Sequence, residues 1–339
     1  MDRRRFDEMV QIIDAQRTDL GKEKKMKHTN IVKFALAAVM TISAAACSSG
    51  SPADSTPEPE EKIVPISAFE YDTSNIPKPE ITIENPTGVL KKILDDGVII
   101  VATAPDNPPY EWVYEDGQTL TGSELYLAKY IADILGVELR IEQMDFNAVL
   151  TSVDTGKTDM AMAGFGWKKD RDENFQLSIG YHSSTSGASC HSLLVPADKV
   201  EDYKTFEDFA GKVVAAQATS LQQMYVEDQL IPVGAQMELV SGFDQAVLNL
   251  ASGKVDALAT SCSVALQYAD QSGGELAKSY VEFDLSVYGA YEGTVVAARK
   301  GEEDLINVMN QILTFVNDNA IYDIMYQQAL DEAGMIDVN

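Results

Sequence analysis

The sequence has few cationic side chains and few of the residues that bind metals. Its 339 residues include 26 Lys and Arg against 53 Asp and Glu, which gives a formal net charge of −27. This charge argues against nucleic acid as a partner, because the phosphates would be repelled. There are three His and three Cys, with no Cys-x-x-Cys and no His-x-x-x-His spacing, so little is available for a zinc site. We therefore expect neither a metal nor a cofactor.

The sequence has no long hydrophobic run near its start either. The apolar stretch from Phe34 to Ala46 is shorter than the roughly 20 residues that a helix needs to cross a bilayer. A basic segment precedes it and small residues follow, which is typical of an export signal. We interpret residues 26–47 as a lipoprotein signal peptide with Cys47 as the lipidated residue, although Ala44 stands where leucine is usual. A plain secretory signal cut nearby is the alternative.

The segments on either side of that signal have no core-forming pattern. Residues 1–25 are a charged stretch and Met26 is a better start, so we interpret them as a gene-model extension. Residues 48–87 begin with a Ser-, Pro- and Glu-rich stretch that has almost nothing to bury. We expect 48–87 to be a disordered tether, with folded sequence starting near Gly88.

From there on, strand and helix patterns alternate. Residues 98–104 form a continuous apolar run, as expected of a buried parallel strand. A helical pattern follows, with Ser123 as its candidate N-cap and Gly136 as its stop, and a further strand pattern covers 137–143. This alternation predicts an α/β fold with a largely parallel sheet.

One helix-strand pattern occurs twice. Residues 146–163 and 243–260 align without a gap, and each begins with three apolar residues at i, i+4 and i+7, one helix face. Both then read Gly-Lys-x-Asp before a strand, which predicts Gly156 and Gly253 as helix C′ glycines. The repetition predicts two lobes of similar build. A cleft between such lobes is a common place for a ligand.

Several motifs together resemble the family 3 extracellular solute-binding proteins, which serve polar amino-acid ABC importers. Each motif alone is weak, but their order and spacing across residues 88–330 are specific. The motifs are "VIIVATAPDNPPYEW", "TGSELYLAKYIADILG", "MDFNAVLTSVDTGKTDMAMAGF" with Arg171 after it, "FAGKVVAAQATS", "LASGKVDAL" and "VVAARKGEEDL".

The resemblance implies a periplasmic-binding-protein-like α/β fold of two similar lobes joined by two crossing strands. Lobe 1 would comprise residues 88–191 and 288–339, and lobe 2 residues 192–287. Residues 190–196 and 291–299 would form the crossings. The expected motion is closure of the lobes around a ligand.

The resemblance also implies a function and partners. The protein would bind an amino acid or related small carboxylate outside the cytoplasm and deliver it to ABC permease subunits. It would be a monomer anchored to the outer face of the membrane by lipid on Cys47. Two alternatives stay open, a binding protein that signals to a receptor and a cyclohexadienyl-dehydratase-like enzyme. The enzyme needs a general acid of raised pKa in the cleft, and two positions that are often acidic in the family are here Ala104 and Ser261.

In lobe 1 the resemblance assigns the residues that contact a ligand carboxylate. Arg171 matches the arginine that clamps it, since a guanidinium offers two parallel donors to two carboxylate oxygens. The backbone of Gly164 and Gly166 would touch the ligand, because glycine allows close approach. Phe146 would pack on the ligand, and it is also a core residue of its helix face.

In lobe 2, Thr219 and Ser220 match a small hydroxylic pair at a strand-to-helix turn, where N–H groups bind carboxylate. The half of the site for an ammonium group departs from the family, because Ser261 stands where an acid is common and Asn107 where an aromatic is frequent. An unusual amino acid, a derivative without a normal α-amine and a small peptide are the implied ligands. Residues that could replace the acid are Asp106, Glu111 and Glu124, and those that could wall the pocket are Tyr110 and Trp167.

Cys190 and Cys262 are expected near the cleft as free thiols. A disulfide would require Cα atoms within about 7 Å of each other.

Overall fold

The computed structural model describes residues 69, 71–114, 117–182, 190–288 and 293–334. They all belong to one compact unit, residues 65–339. The predicted extension 1–25, the signal peptide 26–47 and the lipidation site Cys47 lie outside the described residues. Within the described part, no helix has the length and hydropathy needed to cross a membrane.

The strands are short and belong to three sheets. They are β1 (Val98–Thr103), β2 (Asp106–Asn107), β3 (Glu111–Val113), β4 (Leu120–Thr121), β5 (Glu138–Gln143), β6 (Met160–Ala161), β7 (Phe175–Leu177), β8 (His191–Pro196), β9 (Val213–Gln217), β10 (Gln236–Val240), β11 (Ala257–Ser261), β12 (Leu276–Glu282) and β13 (Ala297–Arg299).

The helices lie between these strands and at the C-terminal end. They are α1 (Gly88–Asp96), α2 (Ser123–Leu135), α3 (Phe146–Asp154), α4 (Lys169–Asn174), α5 (Leu221–Tyr225), α6 (Phe243–Ala251), α7 (Cys262–Gln271), α8 (Glu303–Asp318) and α9 (Ile321–Ala333). Short 3₁₀ or π turns cover Ala197–Asp202, Phe206–Phe209, Val226–Leu230, Ile231–Val233 and Leu285–Tyr288.

Two five-stranded sheets define two lobes, as predicted. The sheet of lobe 1 has the order β5-β1-β6-β13-β7, and that of lobe 2 the order β10-β9-β11-β8-β12. In each sheet three strands are parallel, and two further strands join by antiparallel pairing, β13 and β7 in lobe 1 and β8 and β12 in lobe 2. We use lobe 1 for residues 88–182 and 293–334, and lobe 2 for residues 190–288. The small sheet β2-β3-β4 belongs to lobe 1 and is antiparallel.

Each central sheet is covered on both faces, so neighbouring residues of one strand enter different cores. In β1, Val101 packs into the cluster beneath α2, α8 and α9, while Ala102 packs into the cluster with α3. In β9, Val214 and Ala215 divide in the same way. A strand buried on both faces has no polar alternation, which explains the continuous apolar runs of the sequence.

The repeated unit folds alike in both lobes. Helices α3 and α6 begin at the equivalent residues Phe146 and Phe243 and end before left-handed glycines, Gly156 with φ 72° and Gly253 with φ 73°. The predicted C′ role of both glycines is confirmed, since a left-handed residue ends a helix without a Cβ penalty.

The predicted N-cap of α2 is wrong. Gly122 holds the cap position with φ 136°, and a Cβ there would lie 2.1 Å from the carbonyl oxygen of Tyr110. Ser123 is the first helical residue, and its hydroxyl donates to the Pro109 carbonyl and meets the Tyr322 hydroxyl. The close approach of the backbone before the helix therefore decides the cap, and only glycine fits.

The prediction of a disordered tether is wrong for residues 71–87. This segment has no regular secondary structure, but its side chains pack against lobe 1. Tyr71 stacks on Tyr126 with ring centroids 4.1 Å apart, and the hydroxyl of Thr73 donates to Asp133. Further along, Thr82 and Thr87 donate backbone N–H groups to side chains of α8, Gln311 and Asp304. This segment has no periodic sequence pattern, because it is extended and is ordered by tertiary contacts.

Residues 183–189 and 289–292, which separate the two lobes in the sequence, lie outside the described residues. The described parts of the predicted crossing segments each belong to one lobe. Residues 190–196 run into β8 of lobe 2, and residues 293–299 run into β13 of lobe 1.

Candidate functional site

A pocket lies between the lobes, at the carboxyl ends of the parallel strands. It brings together most of the residues predicted to bind a ligand: Asn107, Phe146, Gly164, Gly166, Arg171, Ser220 and Ser261. Sequence reasoning missed several polar residues that line it as well: His182, His191, Gln217, Gln222, Thr260, Ser263 and Thr294. Most of the missed residues belong to strand ends and turns whose meeting depends on the closed arrangement of two lobes.

Arg171 is a buried cation. It lies in α4 and is only 2% exposed, although its neighbours in the sequence are charged surface residues such as Lys169. Its guanidinium stands 4.7 Å from the ring centroid of Phe165, within the range of a cation–π contact. A buried arginine requires anionic or carbonyl partners, so the residues around Arg171 must supply such partners.

The guanidinium of Arg171 spans the cleft. Nη1 donates to the carbonyl oxygen of Gly166 in lobe 1, and Nη2 donates to that of Thr219 in lobe 2 at 3.2 Å. The two lobes are therefore in contact at the pocket, in a closed arrangement. The two carbonyl oxygens fix the orientation of the guanidinium plane. Arg171 can present a further N–H donor to a ligand in that orientation.

An aromatic residue, Phe146, and a glycine, Gly164, form part of the pocket wall around Arg171. Phe146 lines the pocket and also packs on Phe165, with ring centroids 4.8 Å apart, so both roles considered for it fit the geometry. Gly164 has φ 62°, and a Cβ at this position would lie 3.1 Å from Nδ2 of Asn107. A side chain at residue 164 would thus crowd Asn107, which itself lines the pocket.

The turn of lobe 2 that contains Thr219 and Ser220 contributes to the site differently from the prediction. Thr219 does not line the pocket, and its contribution is the carbonyl that accepts from Arg171, with φ 67° at this residue. Ser220 is the N-cap of α5 and its hydroxyl accepts from Gln223 at 3.1 Å. The next two residues, Leu221 and Gln222, line the pocket, and N–H groups in a first helical turn have no intrahelical acceptor.

Ser261 ends β11 and caps α7. Its hydroxyl accepts from the N–H of Val264 at 3.3 Å and lies 3.1 Å from the hydroxyl of Ser263. Ser261 thus presents a neutral group to the pocket. Ala104, the other position where an acid is common in the family, is buried in the core next to α3.

Glu111 and Glu124, two of the residues predicted to replace the missing acid, lie behind the pocket and do not line it. Both carboxylates are buried, and the side chain of Asn107 hydrogen-bonds to that of Glu111. Burial raises the pKa of Glu111 well above its usual range, with a smaller contribution from Glu124. Burial therefore favours the neutral form of the Glu111 carboxyl group.

Glu124 supports the pocket wall. It accepts from the Tyr181 hydroxyl at 2.7 Å and from the backbone N–H of Gly164. Burial raises its pKa to about 7, and these two hydrogen bonds oppose the rise. Its contact with Gly164 means that Glu124 fixes a backbone segment that a ligand would touch.

Aromatic residues close the pocket on the side of lobe 1. Tyr110 lines it and meets His182 edge-on, with ring centroids 5.8 Å apart. Trp167, the other predicted wall, instead packs at the margin of the core around α3. On the side of lobe 2, His191 lines the pocket beside Gln222, and burial lowers its pKa to about 4, so it is neutral.

Cys190 and Cys262 form a disulfide, so the prediction of free thiols is wrong. Their Cα atoms are 5.3 Å apart. Strands β8 and β11 are antiparallel with Ser261 opposite His191, which places the next residue of each strand, Cys262 and Cys190, opposite each other. The sequence does not reveal that register. A disulfide is typical of a protein folded outside the cytoplasm.

Comparison with known proteins places this arrangement in a family. Residues 99–332 match the sequence profile of the bacterial extracellular solute-binding proteins, family 3. The arginine-binding protein ArgT of Corynebacterium glutamicum is 28% identical over 210 residues, which cover 59% of this chain and 64% of that protein. This chain thus spans slightly less than two thirds of that relative.

Solved structures agree with this match. An amino acid ABC transporter substrate-binding protein of Streptococcus pneumoniae, bound to L-arginine, is 33% identical, with a TM-score of 0.65 over 74% of this chain and 100% of that one. The ancestral amino acid-binding protein AncCDT-1, a precursor of cyclohexadienyl dehydratase, is 26% identical, with a TM-score of 0.59 over 71% of this chain and 99% of that one. With its two lobes and its cleft, this chain belongs to the family 3 bacterial extracellular solute-binding proteins.

Proposed function

We propose that the protein captures a small amino acid or related carboxylate outside the cytoplasm and delivers it to an ABC permease. The observation that supports this most directly is Arg171, a buried cation in the pocket between the lobes. A guanidinium in such a place favours a carboxylate through two charge-assisted hydrogen bonds. Membership of the family supports binding and transport as the role.

The rest of the pocket limits the ligand. None of the described residues that line it is Asp or Glu, while Asn107, Gln217 and Ser261 offer neutral oxygens. A ligand ammonium would meet amide and hydroxyl groups there, which are weaker partners than a carboxylate. Two of the relatives named above are described as binding or bound to arginine. Because the described lining residues of this pocket include no acid, we propose that this chain takes a carboxylate ligand with a less basic remainder.

A thermal-shift screen of residues 48–339 tests the proposal. Amino acids, small peptides and carboxylates should raise the melting temperature, because a ligand that binds only the folded state stabilises it. The matched control is each compound without its carboxylate, for example agmatine for L-arginine. If the decarboxylated compounds stabilise the protein as well as their parents do, carboxylate recognition by Arg171 is wrong.

Ser261 supplies a second test of the ligand assignment. Ser261→Asp keeps a good helix N-cap and adds a carboxylate to the pocket wall. It should strengthen the binding of ordinary α-amino acids if their ammonium points toward residue 261. Ser261→Asn, which caps equally well and adds no charge, is the matched control. Calorimetry showing equal gains for both variants would remove the charge explanation.

An enzyme on the same fold remains the second candidate. Its supporting observation is Glu124, whose pKa burial raises to about 7. Glu124 does not line the pocket and is occupied by Tyr181 and Gly164, so we propose binding without turnover. Mass analysis after incubation with each compound that binds should recover that compound unchanged, and a time-dependent product would establish the enzyme instead.

We also propose that the protein is a monomer held at the outer face of the membrane by lipid on Cys47. The support is the basic, apolar and small-residue pattern that ends at this cysteine. Cys47→Ser should move the protein from the membrane fraction to the soluble fraction. An unmodified N-terminus elsewhere in the mature protein would show that the lipoprotein interpretation is wrong. A transport assay in cells with and without the protein separates import from receptor signalling.

A further inference from the structure

Asp106 makes a contact between the lobes that the family assignment does not explain. It follows β1 in lobe 1, and its carboxylate reaches α6 in lobe 2. Oδ2 accepts the backbone N–H of Phe243 at 2.8 Å and the side-chain amide of Gln217 at 3.2 Å. Asp106 was predicted as a replacement for the missing acid, but it does not line the pocket itself.

The start of α6 is built to accept this contact. Its N-cap is Gly242, which offers no side-chain oxygen, whereas the equivalent residue in lobe 1 is Asp145. A Cβ on Gly242 would lie 3.6 Å from Oδ2 of Asp106, next to the carboxylate. The first N–H groups of a helix need partners from outside the helix. Gly242 has no side chain to supply one, and Asp106 of lobe 1 accepts the N–H of Phe243 instead.

The same carboxylate fixes the orientation of Gln217. Its Nε2 faces Oδ2 of Asp106 and, at 3.4 Å, the carbonyl oxygen of Ser241. Both neighbours are acceptors, so the amide nitrogen must point toward them. Gln217 lines the pocket, and its oxygen is the amide atom left for a ligand.

We propose that Asp106 is a positioning residue for ligand specificity, which joins the closed lobes and orients the amide oxygen of Gln217 toward the pocket as a neutral acceptor for a ligand donor. This rests on the proposed function. The two hydrogen bonds form only when the lobes are closed, because their partners belong to different lobes. Closing therefore both completes the cap of α6 and presents the acceptor.

Charge around Asp106 gives the contact a pH dependence. The pKa of Asp106 is raised to about 6, chiefly by burial and also by the charges of Asp244 and Asp145, while the hydrogen bond from the Phe243 N–H opposes the rise. Glu111 and Tyr268 are the other titratable groups that interact with it. An acid with a raised pKa in the closed form binds a proton more readily there, so protonation favours closure as pH falls below 6.

The first experiment needs no ligand. Hydrogen exchange of the Phe243 amide should be slowed in the wild type and accelerated about tenfold or more in Asp106→Ala, since one hydrogen bond of ordinary strength is lost. Asp106→Asn keeps an acceptor oxygen and should retain the protection. Asp145→Ala, at the equivalent place in lobe 1, is the matched control and should leave Phe243 unchanged. Equal exchange in wild type and Asp106→Ala would overturn the proposal.

The second experiment separates capping of α6 from linkage of the lobes. The double variant Asp106→Ala with Gly242→Asp restores a cap within lobe 2 and leaves Gln217 without its partner. The probes are the twenty standard L-amino acids and their deamino analogues, in thermal-shift and calorimetric titrations. In the wild type, the preferred amino acid should bind more tightly than its deamino analogue. The double variant should reduce that ratio about tenfold.

The two experiments distinguish failure of the proposed function from failure of the role proposed for Asp106. If no amino acid or carboxylate binds, the proposed function is wrong, while the Phe243 amide still reports on the Asp106 contact. If the double variant keeps the wild-type ratio between amino acid and deamino analogue, Asp106 is only a cap and the specificity role is wrong. Between pH 7.5 and pH 5 the affinity of the wild type should rise, by up to about tenfold, and that of Asp106→Asn should not show this rise.

Discussion

The two lobes share a scaffold and differ at the cleft. In each, the aspartate of the repeated Gly-Lys-x-Asp motif holds the neighbouring parallel strand. Asp159 accepts the N–H of Ile100 at 2.8 Å, and Asp256 accepts that of Val213 at 2.9 Å. Each aspartate also pairs with one lysine, Lys92 at 3.3 Å in lobe 1 and Lys212 at 3.6 Å in lobe 2. The repeat thus extends to individual hydrogen bonds.

Most of the residues that line the pocket lie outside the repeated segments 146–163 and 243–260. Phe146 and Phe243 are equivalent and both line the pocket, but Arg171 belongs to lobe 1 alone, and lobe 2 contributes neutral groups such as Gln217 and Ser261. The difference shows that the repeated positions build the lobes. The unrepeated positions set the charge of the site, with a cation on one side and neutral acceptors on the other.

The largest expected effect tests this division of charge. Arg171→Ala removes the cation of lobe 1 and leaves a bound carboxylate alone in a desolvated site, which costs about 3–5 kcal/mol. The affinity should fall on the order of 10² to 10⁴. Lys169→Ala, whose side chain is 84% exposed, is the control and should change affinity less than about threefold. Calorimetry giving equal affinities for Arg171→Ala and wild type would refute the site.

The second largest effect is expected from removal of the disulfide in lobe 2. The disulfide between Cys190 and Cys262 closes a separation of 72 residues, which stabilises lobe 2 by about 4 kcal/mol in the chain-entropy account. Replacing both cysteines by serine should lower the stability of lobe 2 more than that of lobe 1. The comparison can be measured, because the chain's two tryptophans, Trp112 and Trp167, both belong to lobe 1.

In urea, tryptophan fluorescence should follow lobe 1, while circular dichroism follows both lobes. We expect the two transitions of the serine variant to separate, with the dichroism changing at lower urea. Reduced wild-type protein should behave like the variant. Coincident transitions at an unchanged midpoint would mean that the disulfide adds no stability specific to lobe 2.

The smallest effect distinguishes the two aspartates. Both accept a backbone hydrogen bond and an ion pair, but the Asp159 side chain is 5% exposed and that of Asp256 is 29% exposed. Loss of a buried charged acceptor costs about 1.5–3 kcal/mol, and solvent replaces part of this at the more exposed site. Asp159→Ala should therefore destabilise the protein more than Asp256→Ala in chemical unfolding. The opposite order would show that exposure does not distinguish them.

The sequence predicted the repeated features and Arg171 better than the contacts between distant segments. The helix stops at Gly156 and Gly253 followed from local spacing, since a left-handed glycine is a local signal. The pairing of Cys190 with Cys262 depends on an antiparallel register that joins strands far apart in the chain. The role of Asp106 depends on the other lobe, and no periodicity marks such a contact.

The cap of α2 and the segment 71–87 were missed for a related reason. Gly122 caps the helix because the backbone of Tyr110 leaves no room for a side chain. The order of residues 71–87 comes from contacts with α2 and α8, which the sequence does not pair with an extended segment. In both cases tertiary proximity decides a feature that local preference leaves undetermined.

The packing of residues 71–87 has a mechanical consequence. The contacts described for this segment go to lobe 1, through Asp133, Gln311 and Asp304. A force applied to the chain before residue 71 is therefore carried into the lobe that contains Arg171. With the closing motion that the family resemblance implies, lobe 2, with its neutral wall, would then be the part that moves. An anchor at the N-terminus would hold the cation of the site at a fixed distance from the membrane and leave the other half of the site to move.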